Sequence, residues 1–99
     1  MNTYEKLILN DNKEIKLTLN FARLLKVKND YKDTYEKYND IILNGTKDIF
    51  DMVHILYTAY LCANINEEVL DYNNFIELIP SSTTLIASKV NKLTSSKKK

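Results

Sequence analysis

The sequence predicts a mainly helical α+β fold, an N-terminal β-hairpin packed on a small bundle of about five helices, and three observations predict it. Apolar residues alternate with polar ones in "LILNDNKEIKLTL", where Ile15, Leu17 and Leu19 are interleaved with Glu14, Lys16 and Thr18 at the period of a half-buried strand. From Phe21 onward the apolar residues recur instead at helical spacing. The chain's only glycine, Gly45, and only proline, Pro80, fall between such stripes, where helices must stop.

The hairpin covers roughly residues 4–19, and its register follows from "NDN". A two-residue loop would set Ile8 opposite Ile15 and strand Leu7 and Leu9 on the polar face. A three-residue loop, Asn10 to Asn12, pairs Leu7 with Ile15 and gathers Leu7, Leu9, Ile15 and Leu17 on one face, with asparagine supplying the left-handed residue such loops need. Ile8 then projects away from that face. A lone hairpin is marginal in water, so the apolar face must lie on helices.

The first helix, about 21–31, follows Asn20 as N-cap, with Phe21, Leu24 and Leu25 as its expected apolar stripe. The second, about 33–43, carries Tyr35, Tyr38 and Ile42 and ends at Asn44-Gly45. Thr46 is the expected cap of the third, about 47–64. Here Ile49, Val53, Leu56, Tyr60 and Ala63 form one stripe and Phe50, Tyr57 and Leu61 another, so this helix should be the buried centre. The fourth, about 67–79, places Glu67 and Glu68 in its first turn, where they would complement the helix dipole, and turns Val69, Tyr72, Ile76 and Ile79 inward. Pro80 closes it. The fifth, about 82–94, has Leu85, Ile86, Val90 and Leu93 on one side. Residues 1–94 thus read as a single domain and 95–99 as a flexible basic tail; 99 residues suffice to bury roughly 60 to 70% of the unfolded surface in one core.

Charge is polarised along the chain: Met1 to Leu78 hold 9 basic and 13 acidic residues, Ile79 to Lys99 hold 5 lysines and no acid, and the net charge is +1. One cysteine, Cys62, closes no internal disulfide, which fits an intracellular protein. The N-terminus lacks the pattern of a signal peptide, and the longest uncharged run, Met52 to Asn66, is too short for a membrane span.

Candidate chemistry is sparse, and the expectation is a non-catalytic protein without metal or cofactor. His54, with Asp51 three residues before it, is the one conceivable acid/base group. Cys62 sits among core residues, where a thiol acts as a small hydrophobe. No second histidine or cysteine stands at zinc-ligand spacing, and one glycine builds no phosphate-cradling loop. "NGT" at Asn44 matches a glycosylation acceptor by chance in a helix-ending turn. The seven tyrosines mostly share stripes with Ile and Leu, so core and interface outrank base stacking. Two features stand out as a partner surface: the stripe Leu85, Ile86, Val90, Leu93, set off by "PSSTT", and Ile8. The alternative, that these residues complete the chain's own core, stays open at this level.

Taken together, the hairpin "LILNDNKEIKLTLNFARLLK", the glycine-ended helix, "GTKDIFDMVHILYTAYLCAN", "INEEVLDY" and the final amphipathic helix resemble the tail assembly chaperones of long-tailed bacteriophages (siphophages) of Gram-positive hosts. The likeness spans about Leu7 to Leu93 and consists of capping and core patterns, so no catalytic residue carries over. It implies a protein of the host cytoplasm, absent from the mature virion, that binds and solubilises the tape measure protein, helps recruit tail tube protein and forms a homo-oligomer. It also implies a frameshifted longer form of the chain as a partner, in which case Lys97 to Lys99 would record an adenine-rich slippery sequence. The competing class is a small nucleic-acid-binding regulatory protein using its lysine-rich C-terminus, whose affinity would fall steeply with salt.

Overall fold

The computed structural model describes residues 4–94, and the lysine run at 97–99 lies outside them. Two antiparallel strands, β1 (Glu5–Ile8) and β2 (Glu14–Leu17), precede five helices: α1 (Phe21–Asp30), α2 (Lys32–Asn44), α3 (Ile49–Ala63), α4 (Tyr72–Leu78) and α5 (Thr83–Thr94). This is the α+β, mainly α arrangement of a hairpin on five helices that the sequence predicts.

The hairpin has the register argued from its loop. Leu7 lies opposite Ile15 and Glu5 opposite Leu17. The Leu9 amide donates to the Lys13 carbonyl at 2.8 Å, the Asn12 amide donates back to the Leu9 carbonyl at 2.8 Å, and Asn12 takes the left-handed conformation at φ 69°. Leu7, Leu9 and Leu17 are buried and Ile15 half-buried, so one face of the ribbon is apolar and inward.

That face lies on α3, the centre of the molecule. Ten consecutive residues, Val53 to Cys62, are buried, which is possible only for a helix covered on all sides. β2, α1, α2, α4 and α5 each pack against it. Polar groups tie the covers down. The Thr18 amide donates to the Ala59 carbonyl at 3.2 Å, and the Arg23 guanidinium donates to the Cys62 carbonyl at 2.8 Å, placing a cation at the C-terminal end of α3 where the helix dipole favours it. The hairpin loop completes α4: the Asn10 amide donates to the Leu78 carbonyl at 2.7 Å and its side-chain Nδ2 to the Ile79 carbonyl at 3.2 Å.

Helix ends agree with the sequence at three points and depart at two. Asn20 Oδ1 accepts from the Arg23 amide at 2.9 Å, the expected N-cap of α1. Ile79, preceding Pro80, is extended at ψ 147° and ends α4. Gly45 ends α2 at φ 92° and ψ 160°, a conformation essentially restricted to glycine. An added Cβ there meets nothing within 4 Å. Gly45→Ala is therefore expected to destabilise through backbone strain alone, by about 1–3 kcal/mol, read as a lower denaturation midpoint with unchanged slope.

The cap of α3 is Asp48, not Thr46; its carboxylate accepts from the Phe50 amide at 3.0 Å and the Asp51 amide at 3.3 Å, a charge-assisted cap that a threonine two residues earlier cannot reach. α4 begins at Tyr72 rather than 67, so Glu67 and Glu68 lie outside any helix and the dipole argument for them fails. Two tyrosines of α3 cause the late start. The Tyr57 hydroxyl donates to the Leu70 carbonyl at 2.9 Å and the Tyr60 hydroxyl accepts from the Leu70 amide at 2.8 Å. Both backbone groups of Leu70 are thereby taken out of helical pairing, and Asp71 caps the shorter helix by accepting from the Asn74 amide at 2.8 Å.

Candidate docking site

The partner surface expected on α5 is largely spent inside the molecule. Ile86 and Val90 are 3% and 6% exposed and belong to the core, while Leu85 and Leu93 are half-buried against it. The reason is α3: a helix apolar around its whole circumference needs a cover on every side, and α5 is one of them. A Lys89 to Glu5 ion pair of 3.6 Å, with both side chains mostly buried, fixes α5 to β1 as well. Ile86 and Val90 are therefore corrected from docking residues to core residues. Ile8 is half-exposed as its register requires, but its neighbours on the outer face of the ribbon are charged, Lys6 pairing with Glu14 at 3.5 Å, so it forms no patch.

The uncovered apolar surface lies elsewhere. Five of the seven large exposed apolar side chains among the described residues belong to α1, α2 or Tyr31, the one residue that joins them, which singles out this helical pair. Phe21 is 90% exposed, Leu43 73%, Leu25 58% and Ile42 46%. The inward stripes are Leu24 and Val27 on α1 and Tyr38 and Ile41 on α2. Phe21, Leu25 and Ile42, expected to face the core, are thus corrected to the outer side.

The two helices leave a trough of about 290 Å³ between them. Buried Leu24 and Tyr38 form its floor, and Phe21, Leu25 and Ile42 stand exposed along it. Near the Tyr31 junction its lining turns polar: the Lys28 ammonium lies over the ring of half-buried Tyr35, 5.8 Å from the centroid. Lys28 has no carboxylate within ion-pair distance among the described residues. The larger hollow of about 470 Å³, between the hairpin loop and the 68–71 segment, is lined by three carboxylates, of which Asp11 and Asp71 accept from the amides of Lys13 and Asn74, and Glu68 alone adds no cluster to it.

The titratable side chains considered for chemistry are built into the packing. His54 is 6% exposed, and its Nε2 lies 2.9 Å from the Thr34 carbonyl. A carbonyl only accepts, so Nε2 carries the proton. The expected partnership with Asp51 does not form; that carboxylate accepts from the Lys47 amide at 2.8 Å. Burial is the main influence holding the imidazole below its ordinary 6.5, with Lys37 acting in the same direction and the Thr34 hydrogen bond and Asp51 opposing. The unfolded chain therefore takes up this proton first as pH falls, so stability present above pH 6.5 is lost below it. The melting temperature should decline on going from neutral to mildly acidic pH, and His54→Gln, which can still donate to Thr34, should flatten that slope. Cys62 is fully buried and its thiol is pushed up to about 12 by burial, against the opposing charge of Arg23. It remains protonated and unreactive.

The tyrosines divide as their spacing suggested. Tyr38, Tyr57 and Tyr60 are buried, and Tyr57, Tyr60, Tyr72 and Phe75 form one ring cluster, Tyr57 meeting Tyr72 and Phe75 edge-on at 5.3 and 5.2 Å and Tyr60 stacking on Phe75 at 5.2 Å. Burial pushes the hydroxyls of Tyr38 and Tyr57 up to about 12. Among the described residues no group of three or more His, Cys, Asp or Glu could hold a metal ion, and no helix is long and apolar enough to cross a membrane.

Comparison with protein-family models, with curated proteins and with solved structures finds no match for this chain.

Proposed function

We propose that this protein is a non-catalytic binding chaperone that covers an apolar helical stretch of a client, as the siphophage tail assembly chaperones it resembles do for the tape measure protein. The observation that carries the reading is the exposed set Phe21, Leu25 and Ile42 lining an apolar trough, with exposed Leu43 following on the same helix as Ile42, in a small domain that elsewhere uses its long stripes for its own core. A single large apolar side chain on a surface is ordinary, whereas three exposed ones lining one trough mark an interaction surface. Each such side chain, once covered, contributes up to about 1.5–3 kcal/mol before ordering costs are subtracted. The result is a reversible contact, which suits a factor that leaves when tail tube subunits arrive. The further partners in this proposal are tail tube protein, a frameshifted longer form and other copies of the chain, in the host cytoplasm and not in the mature virion.

Co-expression with the tape measure protein tests it. With the wild-type chain the client is expected to move into the soluble fraction and to co-purify. With a Phe21→Ser, Leu25→Asp double variant, which alters only exposed positions, the chaperone should stay folded and the client should return to the pellet. A client that stays insoluble beside the folded wild-type protein rejects the proposal.

A further inference from the structure

We infer that the α1–α2 trough takes an amphipathic α-helix with acidic residues beside its apolar stripe, docked with a carboxylate on Lys28. The inference deepens the reading of this face as the client site and rests on it. It commits to the secondary structure and the charge of the client segment.

The case for a helix comes from backbone accounting. The trough is lined by side chains of two helices whose own amides and carbonyls are paired within them, so it offers no row of free backbone groups. An extended segment laid there would bury amides and carbonyls without partners. A helix brings its backbone already paired and presents side chains alone, and a third helix settling between two packed ones is a common solution to apolar burial. The lining runs from Phe21 to Lys28 on α1 and from Tyr35 to Ile42 on α2, about two helical turns, so a docked helix of about three to four turns covers the whole trough.

The case for acidity comes from the charges around the trough that remain unspent. On α2, Glu36 pairs with Lys32 at 4.0 Å, and Asp40, which keeps its charge while accepting from Asn44 Nδ2 at 2.6 Å, is not among the residues that line the trough. On α1, exposed Lys26 and Lys28 pair with no carboxylate among the described residues. Asp30, the one acid of α1, stands two residues from Lys28, and that spacing points the two side chains to different sides of the helix. Lys28 also differs from an ordinary surface lysine in position: it lines the trough, over the Tyr35 ring, so a client covering Leu25 and Ile42 desolvates it too. A cation covered by apolar side chains alone is costly, and one covered together with a carboxylate costs much less. A basic or uncharged helix is selected against by the same group that an acidic one satisfies.

The experiment uses the full chain and two fluorescent peptides of about 14 residues, alike in a leucine stripe at helical spacing and different in carrying glutamate or lysine on the flanks. Binding is read by anisotropy at low and moderate salt. The acidic peptide is expected to bind about tenfold more tightly than the basic one at low salt, with the gap narrowing as salt rises. Lys28→Glu should reverse the preference, while Leu25→Asp should abolish binding of both. Equal affinity for the two peptides, or a preference that Lys28→Glu leaves unchanged, overturns the inference. So does a chain that binds neither peptide and is a dimer dissociated by Leu25→Asp, since the occupant is then a second copy. A chain that selects the acidic peptide through Lys28 but leaves the tape measure protein insoluble keeps the inference about the trough and rejects the client named for it.

Discussion

Phe75→Ala is expected to remove about 3–5 kcal/mol of stability. Phe75 is fully buried, and its ring centroid lies 5.2 Å from those of both Tyr57 and Tyr60. Those two tyrosines are also the groups that hold Leu70, so their ring positions and their hydroxyl positions are set together. An alanine at 75 leaves a void against both rings at once. Any relaxation of the rings into the void pulls their hydroxyls off the Leu70 backbone, so that a half-buried amide and carbonyl lose their partners. The cavity and the lost hydrogen bonds thus act in the same direction. Because a domain of this size has about 5–15 kcal/mol in total, the variant should unfold far earlier in urea or on heating, and near-ultraviolet circular dichroism from the tyrosine cluster should collapse with it.

Phe75 also marks where sequence reading reached its limit. The stripe assigned to α4 assumed a helix running from residue 67, and in that frame Tyr72, Ile76 and Ile79 take the inward face. Tertiary hydrogen bonds to Leu70 start the helix at Tyr72 instead, and the side chain that becomes central is Phe75. Nothing in the local sequence encodes a hydroxyl delivered from another helix. The hairpin is the opposite case: its register depends only on loop length and on which residues must share a face, both local, and Leu7 does lie opposite Ile15. α3 was equally legible, because a helix apolar on all sides has only one place to go. For α1 and α2 the pattern is ambiguous in itself. "LL" at 24–25 and "IIL" at 41–43 put apolar residues on two faces of each helix, and periodicity cannot say which face meets α3. The trough owes its existence to that ambiguity: both faces are apolar, one is used, and the other is left over. The stripe on α5 is plain in the sequence, but periodicity cannot say whether its cover belongs to another chain or, as the burial of Ile86 and Val90 has it, is α3 of the same one.

Two aspartates test that division directly, and their effects should be opposite in kind. Ile86→Asp places a carboxylate at a position 3% exposed, where Lys89, three residues on, is already paired with Glu5, and removes the apolar contact of α5 with α3. The loss of burial and the cost of an unpaired charge together should reach about 4 kcal/mol or more, enough to leave much of the protein unfolded at ordinary temperature. Leu25→Asp changes a side chain already 58% in water, on the outer side of α1, and should shift stability by no more than about 1 kcal/mol, mostly through helix propensity. Its effect should fall on client binding instead, which it should eliminate. If α5 were the docking surface the pattern would invert: Ile86→Asp would fold normally and fail to bind, and Leu25→Asp would bind as the wild type does. Thermal denaturation of each variant beside the co-expression assay separates the two cases, because one experiment reads the core and the other reads the face that the core leaves uncovered.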